Sequence, residues 1–460
     1  MFKIFYDIFI LFIIFNVILI LTGLFFKLSV ANLKMVRNLY IKFYMLLLFI
    51  FFLFLAMIII CKLHAYKYFF FYTAYAVNSF FILVIFYFIL IFIYFFFFIK
   101  YVYIKFLPFF ICLAFILFSN IFYIFVEDFF SLYIVLEFHT LLMYILYNIT
   151  LPSYSNFYIK NGIKFFILSV FTSLFLLLGL FFLYFASGTI VFYEIDIIFN
   201  KNYDLISVLG LNLVYAVFCF KLGLFPFYIW MLEVFGYLNN IFFLVYVFIA
   251  KIPVFITMMK LIFFFGLTHF LYAVSFLSII YGTFCVLVEN DFRFFIIYSS
   301  MVQFGGLFLA MVDYNLYIFY GVIYTYINYI LVFTLLFFVL LLVSQGYNFD
   351  LNVFTSLKYK SILLTASLLI LVFSVIGVPP TLGFIGKFNL YYGLLLNNYF
   401  YLVLFLIFSS LFSSVYYFNI IRLLYFTSVR DVHVYAYNVP KSILFYSSCV
   451  GIFILLFFFF

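Results

Sequence analysis

Four ionisable residues stand inside stretches that otherwise avoid charge: Glu137 in SLYIVLEFHTLLMYIL, Lys221 in VFCFKLGLFPF, Lys251 in VYVFIAKIPVFI and Lys387 in TLGFIGKFNLYY. A carboxylate and an ammonium in a dry site keep each other charged. A lysine that loses its counter-charge there gives up its proton readily. Arginine keeps its proton, so lysine is the residue suited to passing one on. The chemistry on offer is proton transfer through an apolar medium. A structural ion pair would use the same residue types, and Lys387 alone could reach an interface with its long stem.

The surroundings make these charges costly. Of 460 residues, 72% are hydrophobic and only 8% are charged, and the mean hydropathy is +1.41. A soluble domain carries about 25% charged residues, so a water-facing surface is excluded. Each charge at a bilayer centre costs about 2.5–3.5 kcal/mol. Such groups need partners or water. The apolar runs are continuous and about 20 residues long, which excludes an alternating β-barrel pattern and predicts an all-α polytopic membrane protein.

Hydropathy predicts 14 spans, at 5–26, 39–62, 77–100, 106–126, 128–149, 160–185, 205–235, 241–264, 267–288, 293–312, 317–343, 361–398, 400–426 and 442–460. Outside the three midplane lysines, fourteen basic residues fall in odd connectors, among them Lys164, Arg293 and Arg422. Five fall in the N-terminus and even connectors, among them Lys260. Basic connectors stay on the cytoplasmic or matrix side, which places both termini on the opposite side. The net charge of +9 then reflects topology and contact with anionic lipid such as cardiolipin, not nucleic-acid binding.

Two spans are too long. Residues 205–235 would form a helix of about 46 Å and 361–398 one of about 57 Å, against a hydrocarbon core of about 30 Å. Each holds breakers in its middle: Gly223 with Pro226, and Gly377 with Pro379 and Pro380. Glycine and proline kink membrane helices for several reasons. Two breaks 153 residues apart, each beside a lysine, predict two five-helix repeats of inverted orientation. The expected division is 1–105 as N-terminal helices, 106–265 and 266–426 as the repeats, and 427–460 as a last helix.

No phosphate-binding glycine loop or nucleophile elbow appears. The five cysteines (Cys61, Cys112, Cys219, Cys285, Cys449) show no ligand spacing and read as small buried hydrophobes. His139 follows Glu137 by two residues and so points elsewhere on a helix; a core histidine is the expectation. Glu289, Asp291 and Arg293 read as a solvated connector cluster. The 28% aromatic content, with few Gly and Pro, suggests an AT-rich gene such as an organelle's. The start, MFKIFYDIFILFIIF, shows no transit segment, in keeping with synthesis inside the organelle.

The segments VLEFHTLLMYIL, FKLGLFPFYIW, IAKIPVF, NDFRFFIIYSSMVQFGGLFLAM and IGVPPTLGFIGKF resemble the antiporter-like membrane subunits of respiratory complex I. The resemblance covers residues 136–388. It implies that Glu137 and Lys221 are the buried pair, Lys251 the connecting lysine and Lys387 the lysine near the proton exit. It also implies a subunit of the proton-translocating NADH:ubiquinone reductase in the mitochondrial inner membrane. Other membrane-arm subunits, including neighbouring antiporter-like chains, would be its partners. NADH, flavin, iron–sulfur clusters and ubiquinone would be held by those partners, and no cofactor or metal by this chain. Tyr228 and Gln303 stand where the family often has histidine. A cation/proton antiporter subunit, or a non-transporting assembly protein, is the alternative.

Overall fold

The computed structural model describes residues 106–150, 156–199, 205–236, 240–313, 315–344, 350–356 and 362–426. The three N-terminal spans and the last span expected from hydropathy lie outside the described residues. The described ones are helical, and eight of their helices are long and apolar enough to cross a membrane.

Helix α1 covers Phe106–Phe125 and α2 Phe129–Thr150. Helix α3 covers Asn156–Ser187, and a short helix α4, Phe192–Phe199, lies in what hydropathy reads as a connector. Helices α5 (Leu205–Leu222) and α6 (Ile229–Phe235) are the two halves of the first long span. Next come α7 (Asn240–Leu244), a π-helical segment Val245–Ala250 and α8 (Lys251–Phe265), in one continuous rod. Helices α9 (His269–Val288), α10 (Phe292–Ala310) and α11 (Leu316–Ser344) follow, then a 3₁₀ turn at Leu351–Ser356. Helices α12 (Ile362–Ile376) and α13 (Leu382–Leu396) halve the second long span, and α14 covers Phe400–Tyr425.

Five basic residues counted with the connectors lie in helices. Lys160 and Lys164 are inside α3, Lys260 is inside α8, Arg293 begins α10, and Arg422 is in the last turn of α14. Each stands near an end of its hydropathy span and so counts with the adjoining connector.

The described residues fall into two compact units: 106–121 with 142–150, and 122–141 with the remainder. In the first, the Cys112 thiol donates to the Leu142 carbonyl at 3.4 Å, among buried Leu113, Ile116 and Leu146. In the second, the π-containing rod is buried on every side from Phe242 to Met259, which makes it the core helix. Helix α3 instead turns Ile163, Ile167, Phe171, Leu174, Leu178 and Phe181 outward, and α14 does the same with Leu404, Phe408 and Leu411. These are the side chains a bilayer would cover.

Lipid gives helices no hydrophobic reason to associate, so small residues that let backbones approach decide the pairing. Gly179 of α3 faces Gly210 of α5 so closely that a Cβ at Gly179 would meet the Gly210 carbonyl at 3.0 Å. Gly305 of α10 seats on Ser275 and Ser278 of α9. Gly386 and Gly393 of α13 seat on the backbone at Thr325 and Ile318 of α11. These three helix pairs, α3–α5, α9–α10 and α11–α13, are the most extensive in the second unit.

Candidate functional site

The first break begins where α5 ends at Leu222. Gly223 takes φ +78°, the left-handed conformation a side chain disfavours, and its N–H together with that of Leu224 bonds back to the Cys219 carbonyl. The second break repeats this cap. Gly377 takes φ +90°, and the N–H groups of Gly377 and Val378 both reach the Phe373 carbonyl. A cis peptide follows in each turn, at Phe225–Pro226 and Pro379–Pro380. Both long spans are therefore interrupted at the residues the sequence marks.

A helix that stops inside a membrane leaves carbonyls without partners. At the first break Trp230 Nε1 donates to the Phe220 carbonyl at 2.9 Å, and the Tyr246 hydroxyl donates to the Lys221 carbonyl at 3.4 Å. The Trp230 ring stacks on Phe220 at 4.9 Å. At the second break Asn328 Nδ2 donates to the Ser374 carbonyl at 3.0 Å, and Lys387 Nζ donates to the Ile376 carbonyl at 2.7 Å. The second turn thus uses a lysine head group where the first uses an indole and a phenol.

Lys221 occupies the last turn of α5 and is buried. Glu137 of α2 acts on it through charge, and Lys221 in turn acts on His139. Glu137 and Lys221 are not in ion-pair contact; among the described residues the direct pairs are Lys164–Glu233 and Arg293–Asp291, each at 3.1 Å. The Glu137–Lys221 relationship is therefore one across a gap. His139 is buried with its ring edge-on to Tyr123, centroids 5.6 Å apart.

Lys251 opens α8 and is buried; Nζ donates to Ser300 Oγ of α10 at 3.1 Å and lies 5.6 Å from the Phe304 ring centre. The π-helical segment directly before it has a local cause. Pro253 offers no N–H and crowds the carbonyl one turn back, at Ile249, and a widened turn relieves that crowding. The same wide turn carries Tyr246 to the first break.

Lys260 had no assigned role in the sequence. It donates to the Val126 carbonyl, just past the end of α1, and lies 5.8 Å from the Phe192 ring centre, with Glu127 and Asp128 acting on it. Asp128 also caps α2, accepting from the Ser131 N–H at 2.8 Å. Burial holds the Glu127 carboxyl above the usual carboxylate range, with Lys260 opposing that shift. Lys164 and Glu233 form a lateral pair, 44% and 55% exposed.

Asp291 caps α10 through the Arg293 N–H at 2.9 Å, and its side chain pairs with the Arg293 guanidinium. The expected solvated cluster is thus a half-buried helix start. Among the described residues no three His, Cys, Asp or Glu side chains gather as a metal site.

An all-helical polytopic membrane protein, with two capped breaks and buried lysines beside them, is the class these features define. The family described as NADH:quinone oxidoreductase/Mrp antiporter, TM, matches residues 126–413. The chain belongs to this family.

Within it the likeness is to the subunit N type. The chain is 29% identical over 332 residues to NADH-quinone oxidoreductase subunit N 2 of Thermodesulfovibrio yellowstonii, covering 69% of each chain. It is 29% identical over 310 residues to the subunit N of Francisella tularensis subsp. holarctica, covering 64% of each. The match therefore spans about two thirds of these relatives' length. In fold it is similar to a chain of respiratory complex I from Thermus thermophilus with bound Aureothin. That match has a TM-score of 0.75 at 18% identity, over 97% of this chain and 96% of that one.

Proposed function

We propose that this chain is a proton-translocating membrane-arm subunit of NADH:quinone oxidoreductase, the mitochondrial chain 2 counterpart of subunit N. Lysines at both breaks carry the reading. Lys221 sits at the end of one interrupted helix, and Lys387 holds the end of the other. A lysine on a free carbonyl or near a distant carboxylate can exchange its proton, whereas one locked in a close ion pair resists doing so. Glu137 sets the charge of Lys221, Lys251 joins the two halves, and Lys387 is the lysine near the exit.

Electron transfer from NADH to quinone takes place in partner subunits, which hold the flavin, iron–sulfur clusters and quinone. The proposed location is the mitochondrial inner membrane, with cardiolipin among the bound lipids. The subunit N names of the relatives favour this reading over a separate cation/proton antiporter.

The inverted five-helix repeat receives independent support. Before α2, Asp128 bridges to Val191, and the Phe192 N–H reaches the Glu127 carbonyl at 3.0 Å. Before α10, Asp291 bridges to Asp350, and the Leu351 N–H reaches the Asn290 carbonyl at 2.9 Å. Each aspartate caps the helix that follows, and each bridge leads into a short helix, α4 or the 3₁₀ turn. The same device thus recurs in residues 106–265 and 266–426, at connectors of opposite parity.

Proton uptake by energised vesicles, measured against NADH oxidation, tests the reading. Lys221→Met should assemble and lose pumping. Lys221→Arg should also be impaired, because arginine keeps its proton. Full pumping by an assembled Lys221→Met variant would leave a purely structural lysine.

A further inference from the structure

Tyr228 leads away from the first break along groups that can each donate and accept a hydrogen bond. Its hydroxyl donates to the Tyr281 hydroxyl of α9 at 2.6 Å, with the ring centres 5.1 Å apart. Cys285 stands four residues further along the same helix, and its thiol and the Tyr281 hydroxyl act on one another. Glu289 follows four residues beyond, at the C-cap of α9, and acts on Cys285 through charge. A spacing of four keeps residues 281, 285 and 289 on one helix face.

The row is out of character with its helix. Leu277, Ile280, Phe284, Leu287 and Val288 around it are apolar and exposed. Eight residues of α-helix rise about 12 Å, against a half-core of about 15 Å. The row therefore runs from the level of the break to the connector that holds Glu289 and Asp291. Tyr298 of α10 flanks it, with its ring centre 5.8 Å from that of Tyr228.

We propose that Tyr228, Tyr281, Cys285 and Glu289 form a proton-conducting row between the 289–291 connector and the first helix break. This rests on the reading of Lys221 as a proton carrier. The Glu289 carboxyl passes its proton to the Cys285 sulfur while the thiol's own proton moves to the Tyr281 oxygen. Once the two hydroxyls have turned so that Tyr281 donates to Tyr228, the reverse of the direction in the structure, the Tyr281 proton moves to the Tyr228 oxygen. The Tyr228 proton moves to water in the Gly223–Tyr228 turn and from there to the neutral Lys221 amine. The carboxyl ends as carboxylate and the amine as ammonium, and the thiol and both phenols end neutral as they began. No phenolate or thiolate has to form in apolar surroundings, where a bare charge is costly. Rotation of the S–H and O–H groups resets the row.

The test uses the intact complex in sealed vesicles, with NADH-driven proton uptake and NADH oxidation read together. At matched subunit levels, Tyr281→Phe and Cys285→Ala each lower proton uptake about a hundredfold or more, the lower end for a lost proton-transfer group. Cys285→Ser keeps a group that donates and accepts, and recovers most of the uptake lost in Cys285→Ala. Parental uptake by Tyr281→Phe and Cys285→Ala overturns the row. So does a Cys285→Ser variant as defective as Cys285→Ala, because packing would then be the cause. Should Cys285→Ala fail to assemble, Tyr281→Phe decides alone, since it removes only one oxygen from a partly exposed ring. Lys221→Met is run beside them. Its loss of pumping next to a parental Tyr281→Phe removes the row and keeps the carrier reading; parental pumping by Lys221→Met removes the carrier reading itself.

Discussion

Lys387 Nζ holds the carbonyl of Ile376 at 2.7 Å, so the head group of one half-helix closes the end of the other. Gly377 makes room for this. A Cβ built there would lie 3.0 Å from Lys387 Cδ, and its φ of +90° is already unfavourable for a side chain. Gly377→Ala should cost about 1–2 kcal/mol through backbone conformation alone. It should also push the lysine off the carbonyl. The expected outcome is an assembled complex with slowed proton uptake, checked by uptake at matched subunit level.

Ser300 is the hydroxyl partner of Lys251 in the core. Removing one member of a buried hydrogen bond leaves the other unsatisfied, at about 1–3 kcal/mol. Ser300→Ala should therefore lower thermal stability in the parental background and be nearly neutral beside Lys251→Met. A double-mutant cycle on the melting midpoint measures this, and equal losses in both backgrounds would refute it.

Lys164 and Glu233 join α3 to α6 on a lateral face. In water such a half-exposed pair contributes about 0–1 kcal/mol. Charge reversal at either residue should lower assembly through like-charge repulsion, and Lys164→Glu with Glu233→Lys should restore it. Blue-native migration of the assembled complex reads the result.

Burial, and then the neighbouring Asp291 carboxylate, hold the Glu289 carboxyl above the usual carboxylate range. The native chain therefore keeps this proton to higher pH than the unfolded chain. Its contribution to stability is full below the ordinary glutamate value of about 4.3 and is lost as pH rises through the raised native value. Glu289→Gln should flatten that part of the pH dependence. Thermal inactivation midpoints across this interval, compared with the parent, measure the effect.

Hydropathy located ten spans within the described region to within a few residues, because length and apolarity leave a membrane chain few choices. Both breaks were legible too, since glycine and proline act on the backbone locally. Helix α4 was not, because its eight residues contain Glu194 and Asp196 and read as a polar connector. The π-helical turn before Lys251 gave only an indirect sign, Pro253. The Tyr228–Tyr281 hydrogen bond joins residues 53 apart, and no local pattern announces it. Tyr281, Cys285 and Glu289 did carry a local sign, their spacing of four on an apolar helix. Lys260 stands near the end of the 241–264 span and counts with the connector after it. Its stem instead lies inside the protein, with the head group on the Val126 carbonyl.

The backbone-to-backbone seats of Gly386 and Gly393 on α11 constrain how the second half can work. With the Thr325 and Ile318 side chains beside bare backbone at these seats, α11 and α13 have little room to slide. Any stroke that separated them would expose peptide groups to hydrocarbon. This half of the molecule is bolted rather than hinged. What moves in it must be small: a lysine head group, a hydroxyl, a water. A signal crossing it travels as displaced charge, with the helices serving as a rigid insulator.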